Sequence, residues 1–217
     1  MIGAIIMTHG DDQGLVMPPK LAPIQAVIVP IYKNDAEKSK VMEVADKVFF
    51  ELKAAGIRTK MDDREEVTPG FKFNDWELRG VPVRIEIGPR DVEKGSVALA
   101  RRDVPGREGK SFVPQAGLAS TVSGLLSEIH SSMLKRASEF RDANIHDPRT
   151  YDELKEVVAN GWAFSWWCGN ATCEARVKED TKATIRCIPL EGQPDGKGRC
   201  IVCGDEADKK VIFGRAY

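Results

Sequence analysis

Apolar and polar positions divide the chain into blocks of two different periods. Residues 25–31 (QAVIVPI) form a continuous apolar run, the pattern of a strand covered on both faces. Behind it Val41, Val44, Ala45, Val48, Phe49, Leu52 and Ala55 recur at helical spacing, from a cap at Asp35 to a stop at Gly56. Residues 57–62 (IRTKMD) alternate as a strand and complete a βαβ unit with parallel strands and a right-handed crossover. Residues 96–104 and 110–114, joined by the turn at residues 106–109, read as a hairpin. A long helix then buries Leu118, Val122, Leu125, Leu126, Ile129, Met133, Ala137 and Phe140. The pattern predicts an α/β fold, a mixed sheet of about five strands with helices on both sides.

Residues 69–91 (PGFKFNDWELRGVPVRIEIGPRD) carry the least ordinary pattern. They read as a short helix opened by Pro69-Gly70 and broken at Gly80, followed by a strand over residues 81–87. Phe71, Asn74 and Leu78 share one helix side, and Phe73, Trp76 and Glu77 the opposite side, whereas an ordinary surface helix buries one stripe. On the strand Val81, Val83, Ile85 and Ile87 point one way, Arg84 and Glu86 the other, and Arg90 and Asp91 follow Gly88-Pro89. One surface thus displays a ring, carboxylates and arginines, a set that stacks and hydrogen-bonds unpaired bases. The same residues also suit a helix packed on both sides beside a solvated charged strand, and the pattern alone leaves both readings open.

Towards the N-terminus, residues 1–8 are apolar with no cap before them, and residues 9–14 (HGDDQG) make a tight polar turn. Residues 15–19 and Pro23 read as linker. His9, Asp11 and Asp12 suit metal or acid–base chemistry, and equally suit plain turn chemistry. Residues 144–150 read as a second linker, carrying Asp147-Pro148. Beyond it a helix, Tyr151–Asn160, stops at Gly161, and WAFSWW leads into cysteines. Cys168 and Cys173 are spaced C-x4-C, and Cys200 and Cys203 are spaced C-x2-C before Gly204. Two short-spaced pairs supply four thiolates for a closed, structural zinc, the alternative being free thiols. Cys187 lies in TIRCIP on the side of Ile185 and reads as a buried hydrophobe outside the metal shell.

Composition narrows the choice of partners. A chain of 217 residues admits one large or two small domains, and 42% hydrophobic with 30% charged residues suits globular cores. No apolar run approaches the ~18 residues of a membrane helix, and the N-terminus is too short and lacks the basic lead of a signal peptide. A net charge of −1 argues against a partner held mainly by its phosphates, as duplex DNA would be, so a nucleic-acid role must be local. Five cysteines confined to residues 168–203 fit metal binding in a reducing, cytoplasmic compartment. G-x-S-x-G and G-x-G-x-x-G motifs are absent. Gly109-Lys110-Ser111 lacks the first glycine of a phosphate loop, since position 104 is Val104, and His9, His130 and His146 are scattered.

With these pieces placed, the whole chain resembles the C-terminal half of prolyl-tRNA synthetases of the archaeal/eukaryotic-like type. IGAIIMTHGDDQGLVMPPKLAPIQ is similar to the segment after the arginine of class II motif 3, and DDREEVTPGFKFNDWELRGVPVRIEIGPRD to the anticodon-domain signature. WWCGNATCE with CIVCG, and the terminal VIFGRAY, are similar to the zinc-binding C-terminal domain. The resemblance implies a class II anticodon-binding domain over residues 23–144 and a small α+β zinc-binding domain over residues 145–217. Residues 1–22 would be the end of a catalytic domain and a linker.

The resemblance also implies anticodon contacts at Phe73, Glu77, Arg84, Arg90 and Asp91, facing the guanines at the second and third positions of a proline anticodon. It implies structural Zn2+ on Cys168, Cys173, Cys200 and Cys203. It places His9, Asp11, Asp12 and Tyr217 near the active site of the full enzyme, with no catalytic residue in this chain. The full enzyme would be a homodimeric proline–tRNA ligase that joins proline to tRNA(Pro) with ATP and Mg2+. Motifs 1 and 2 and the motif 3 arginine would precede Met1, so the chain is expected to be a fragment or truncated product that binds tRNA without catalysis. The alternative is a stand-alone tRNA-binding or regulatory module of the same architecture. Residues 1–8 speak for the fragment, because a free-standing module has no use for an orphan apolar helix.

Overall fold

The βαβ unit forms as its pattern demands. In the computed structural model, which describes residues 2–215, β1 (Ala26–Pro30) is buried along its whole length. The helix α2 (Asp35–Ala54) follows, then β2 (Thr59–Met61), parallel to β1. The cap of α2 is Asn34, whose side chain accepts a 2.9 Å bond from the Glu37 N–H. The expected cap, Asp35, sits instead in the first turn, where its charge meets the positive end of the helix dipole.

The chain continues through α3 (Pro69–Leu78), β3 (Val83–Ile87), α4 (Pro89–Lys94), β4 (Ser96–Arg101), β5 (Lys110–Pro114) and α5 (Leu118–Asn144). The five strands form one mixed sheet in the order β2-β1-β3-β4-β5, with β4 and β5 antiparallel. Contacts divide the chain into two units, Met1–Ala137 and Ser138–Tyr217.

One face of the sheet, with Ile28, Val83, Ile85, Ile87, Val97 and Leu99, packs on α2 and α5 to make the main core. The other face carries Val27 and Val29 under Trp76 and the half-buried Phe73 of α3. The helix therefore buries one side only. Phe71 and Leu78, on the side expected to be a second packed face, are exposed. Period-two alternation and the strand register put Arg84, Ala100 and Lys110 in one row of this second face, and Glu86, Ala98 and Phe112 in the next. Phe112 is 69% exposed, so the β4–β5 side of the face is open. Phe140, expected on the buried stripe of α5, is also exposed.

The helix α1 (Ile2–His9) leaves Ile2, Ile6 and Met7 exposed. Residues 15–19, expected as linker, are pinned. Val16 is buried, and the Leu15 and Met17 N–H groups donate to the carbonyls of Leu78 (3.1 Å) and Gly80 (3.2 Å).

The second unit has its own small core of Leu154, Val158, Ala163, Val177, Ala183, Val211 and Phe213. Its elements are β6 (Ile145–His146), α6 (Tyr151–Asn160), β7 (Trp162–Trp167), α7 (Ala171–Thr181), β8 (Ala183–Cys187), β9 (Gly198–Arg199), β10 (Glu206–Ala207) and β11 (Lys209–Arg215). The main sheet runs β6-β7-β11-β8, and β9 pairs with β10. Residues 145–146, expected within a linker, form a parallel edge on β7.

Cys187 is exposed, against the expectation of a buried hydrophobe. A bulge explains the difference. Ile185 pairs with the buried Phe213 and Cys187 with the neighbouring Ile212, so Arg186 is an extra residue that turns Cys187 to the opposite face.

Candidate nucleic-acid interface and metal centre

A buried polar anchor holds α3 to the end of β2. Thr68 caps this helix by accepting from the Phe71 N–H, and Pro69 sits at its first position, where no N–H is needed. The Trp76 indole N–H donates to Asp62 Oδ2 at 2.7 Å, Arg64 makes a fork to both oxygens (2.8 and 2.7 Å), and Lys72 donates to the Asp62 carbonyl. Burial alone would raise the Asp62 carboxyl, but the hydrogen bonds from Arg64 and Trp76 outweigh it and hold the group at about 2. A carboxylate left unpaired at this depth would be costly, so α3 is tied to the end of β2 as a unit.

A chain of alternating charges runs from α3 across β3 to β5. Arg84 donates from Nη1 to Glu77 Oε1 at 2.5 Å and from Nε to Glu86 Oε1 at 3.1 Å. Glu86 accepts from Lys110 Nζ at 2.6 Å through its other oxygen. The Arg84 guanidinium also lies 4.1 Å from the centroid of the Phe73 ring. Its side chain is only 13% exposed, against 32% for Glu77. Arg84 is thus preorganised, and among the described residues its Nη2 group makes no hydrogen bond.

The structure brings Phe73, Glu77 and Arg84 together and does not join Arg90 and Asp91 to them. Asp91 lies past the other end of β3 and accepts from the Gly88 N–H at 2.9 Å, closing the first turn of α4. Arg90 makes no ion pair among the described residues. Lys110 and Phe112 belong to the same face but were not legible as neighbours of Arg84. Their alternation in KSFVP was a signal; the β4–β5 register was not.

Of the two N-terminal acids, Asp11 has a structural partner. Asp11 faces Arg102 through two bonds (2.5 and 2.8 Å), which lower its carboxyl, while Asp12 is exposed. His9 is lowered by burial and then by the fields of Arg136 and His130. Tyr217 lies outside the described residues.

In the second unit, β7 delivers Cys168, and the Asn170 cap of α7 sets Cys173 in the first turn. Cys200 and Cys203 flank a tight turn closed by a bond from the Gly204 N–H to the Cys200 carbonyl, with Gly204 at φ 79°. The four sulfurs lie within 4.8 Å of one another, and Cys168 is 3.7 Å from both Cys173 and Cys203. A tetrahedral ion with metal–sulfur bonds of ~2.3 Å separates its sulfurs by about 3.8 Å, so the cluster could hold such an ion. Burial opposes ionisation of Cys200, but the backbone N–H groups of Cys203, Val202 and Cys168 outweigh it and draw the thiol down to about 7. Burial and the neighbouring thiols Cys203 and Cys168 push Cys173 up.

Comparison with known proteins joins the two sites. The family model described as "Anticodon binding domain" matches residues 25–112, and the one described as "Prolyl-tRNA synthetase, C-terminal" matches residues 151–217. A proline–tRNA ligase of Roseiflexus sp. (strain RS-1) is 58% identical over 217 residues, covering 100% of this chain and 45% of the relative. The chain belongs to the prolyl-tRNA synthetase family. It matches the C-terminal part of these synthetases and spans about half the length, or slightly less, of the curated relatives it resembles. The chloroplastic/mitochondrial proline–tRNA ligase of Arabidopsis thaliana is 50% identical over 220 residues, covering 100% of this chain and 40% of that protein. The crystal structure of the Cryptosporidium parvum prolyl-tRNA synthetase, complexed with L-proline and AMP, superposes with a TM-score of 0.89 at 36% identity, covering 100% of this chain and 46% of that one. Phe73, Glu77, Arg84, Arg90 and Asp91 all fall within the anticodon-binding match, and the four clustered cysteines within the C-terminal one.

Proposed function

We propose that this chain is the anticodon-binding and zinc-binding part of a proline–tRNA ligase, with the anticodon-binding domain over residues 23–144 and the zinc domain over residues 145–217. The whole ligase would be a cytoplasmic homodimer that joins proline to tRNA(Pro) with ATP and Mg2+. This part would bind the tRNA and leave the chemistry to residues outside it.

The observation that carries the reading is the Phe73–Arg84–Glu77 cluster on the open sheet face. Guanine offers O6 and N7 as acceptors and N1–H and N2–H as donors. Arg84 Nη2 and the exposed side of Glu77 match these two pairs, and Arg90 supplies a further cation from α4. The Phe73 ring is occupied on one face by Arg84, so it serves the base through that guanidinium plane, on which bases also stack. Asp91 acts first as the cap of Gly88, holding Arg90 in place. Reading an unpaired loop in this way needs no large basic surface, in keeping with the net charge of −1. Cys168, Cys173, Cys200 and Cys203 would hold the zinc, whose contribution is folding energy for the small second unit.

Chemical footprinting tests this reading. Kethoxal attacks N1 and N2 of unpaired guanines, so bound chain should protect the two anticodon guanines of tRNA(Pro) while leaving guanines elsewhere in its single-stranded loops reactive. Unchanged reactivity at both anticodon guanines, under conditions where the tRNA is bound, would overturn it.

A further inference from the structure

The end of α3 that bears Glu77 is finished by residues far away in sequence. The last carbonyls of a helix lack intrahelical partners. Here the Leu78 carbonyl accepts from Leu15 N–H and the Gly80 carbonyl from Met17 N–H. The Glu77 carbonyl accepts from Arg102 Nε at 3.0 Å, besides its turn bond from Gly80 N–H. Arg102 spends the rest of its fork on Asp11, and its side chain is 3% exposed. Asp11 is itself fixed by the Asp11–Gly14 bridge and by a 2.9 Å bond from the Gln13 N–H.

The approach is close enough to exclude side chains. A Cβ on Gly14, at φ 127°, would stand 2.7 Å from Leu78 Cα, and one on Gly80, at φ 73°, would stand 2.5 Å from the Leu15 carbonyl oxygen. A cation at a helix C-terminus also favours the negative end of the helix dipole. Arg102 is therefore a buried strut between a surface turn and the backbone of the residue whose carboxylate pairs with Arg84.

We propose that Asp11 and Arg102 are positioning residues for base reading: together they hold Glu77 in the register that lets its carboxylate accept from a guanine, and they tie that register to the turn after α1. This rests on the reading of Phe73, Glu77 and Arg84 as the anticodon contacts. Neither strut residue touches the base. Their effect passes through the Glu77 backbone, so loss of the strut lowers selectivity rather than general affinity.

The experiment compares binding of the whole chain to tRNA(Pro) and to the same tRNA with both anticodon guanines replaced, for wild type, Asp11→Asn and Arg102→Lys. Asp11→Asn keeps size at a partly exposed position and removes the charge. Arg102→Lys keeps the charge and removes the fork. Both variants should lose about tenfold in the ratio of the two affinities, the size of one base contact. Affinity for the substituted tRNA and metal content should be unchanged, and Asp11→Glu should restore part of the ratio. Equal weakening towards both tRNAs would reduce the strut to a general brace and overturn the proposal, as would wild-type selectivity in both variants. A wild-type chain that does not distinguish the two tRNAs would overturn the base-reading assignment itself, and the strut's role with it.

Discussion

The Arg84 guanidinium lies 4.1 Å from the centroid of the Phe73 ring while Glu77 and Glu86 bind its edge. A cation placed on a ring and held by two carboxylates has little freedom left to lose when a ligand arrives. With Lys110 on the far side of Glu86, the cluster holds two positive and two negative charges. Its charges cancel, so it presents donors and acceptors without a local positive excess.

Removing one negative charge should break that balance. Glu86→Gln keeps the shape of a 6% exposed side chain and leaves Lys110 without its ion pair. Binding to tRNA should strengthen at low salt regardless of anticodon, and the salt dependence should steepen by about one counterion. Fluorescence anisotropy across a salt series measures the slope; an unchanged slope would contradict the prediction.

The anchor under α3 should fail in acid. The Asp62 carboxyl sits at about 2, below its ordinary 3.8, so its stabilisation is complete above the ordinary value and is lost as pH falls through the folded one. The loss between pH ~4 and ~2 amounts to about 2 kcal/mol. Trp76→Phe removes one of the bonds that hold this carboxyl down. It should cost about 1–2 kcal/mol at pH 7 and shrink the acid-dependent part. Urea midpoints of both proteins at pH 7 and pH 3 give the comparison.

Four cysteines and the fifth should separate cleanly. Metal analysis should find about one zinc per chain. Cys200→Ser should lose it and loosen the second unit, whereas Cys187→Ser should keep it. Because Cys187 is exposed, it should be alkylated first in the metal-loaded protein, with no release of metal. Metal release on modification of Cys187 alone would place that thiol in the shell.

Gly198 packs against the Trp166 indole so closely that a Cβ there would come within 2.1 Å of the ring. Gly198→Ala should therefore destabilise the second unit by roughly 2–4 kcal/mol, with the change seen in tryptophan fluorescence on thermal melting. A melting point within a degree of wild type would mean that β9 moves aside freely.

Much of this was legible in the chain. Continuous burial of Ala26–Pro30 and the α2 stripe from Val41 to Leu52 depend on local pattern and formed as expected, although Ala55, expected on the same stripe, is the exposed C-cap; the cysteine spacings bring four sulfurs together. What escaped was set by tertiary register. Cys187 changed face because of one bulge, and Phe140 lies beyond the last residue of α5 that the main core reaches, Met133. The two-faced appearance of α3 dissolved because Asp62 and the sheet take only the Trp76 side. The bond from Arg102 to Glu77 spans 25 residues and that to Asp11 spans 91, distances over which sequence patterning carries no signal.

In the proposed function, the open sheet face reads the anticodon guanines through Arg84. The decisive measurement is binding of Arg84→Ala to tRNA(Pro), set against a tRNA(Pro) whose anticodon guanines are replaced. The variant should lose roughly 1–3 kcal/mol of affinity for tRNA(Pro) and little or none for the substituted tRNA, so that the two become nearly equal. Equal losses towards both tRNAs, or no loss towards either, would contradict it and leave Arg84 as an ion-pair partner of Glu77 and Glu86 with no part in recognition.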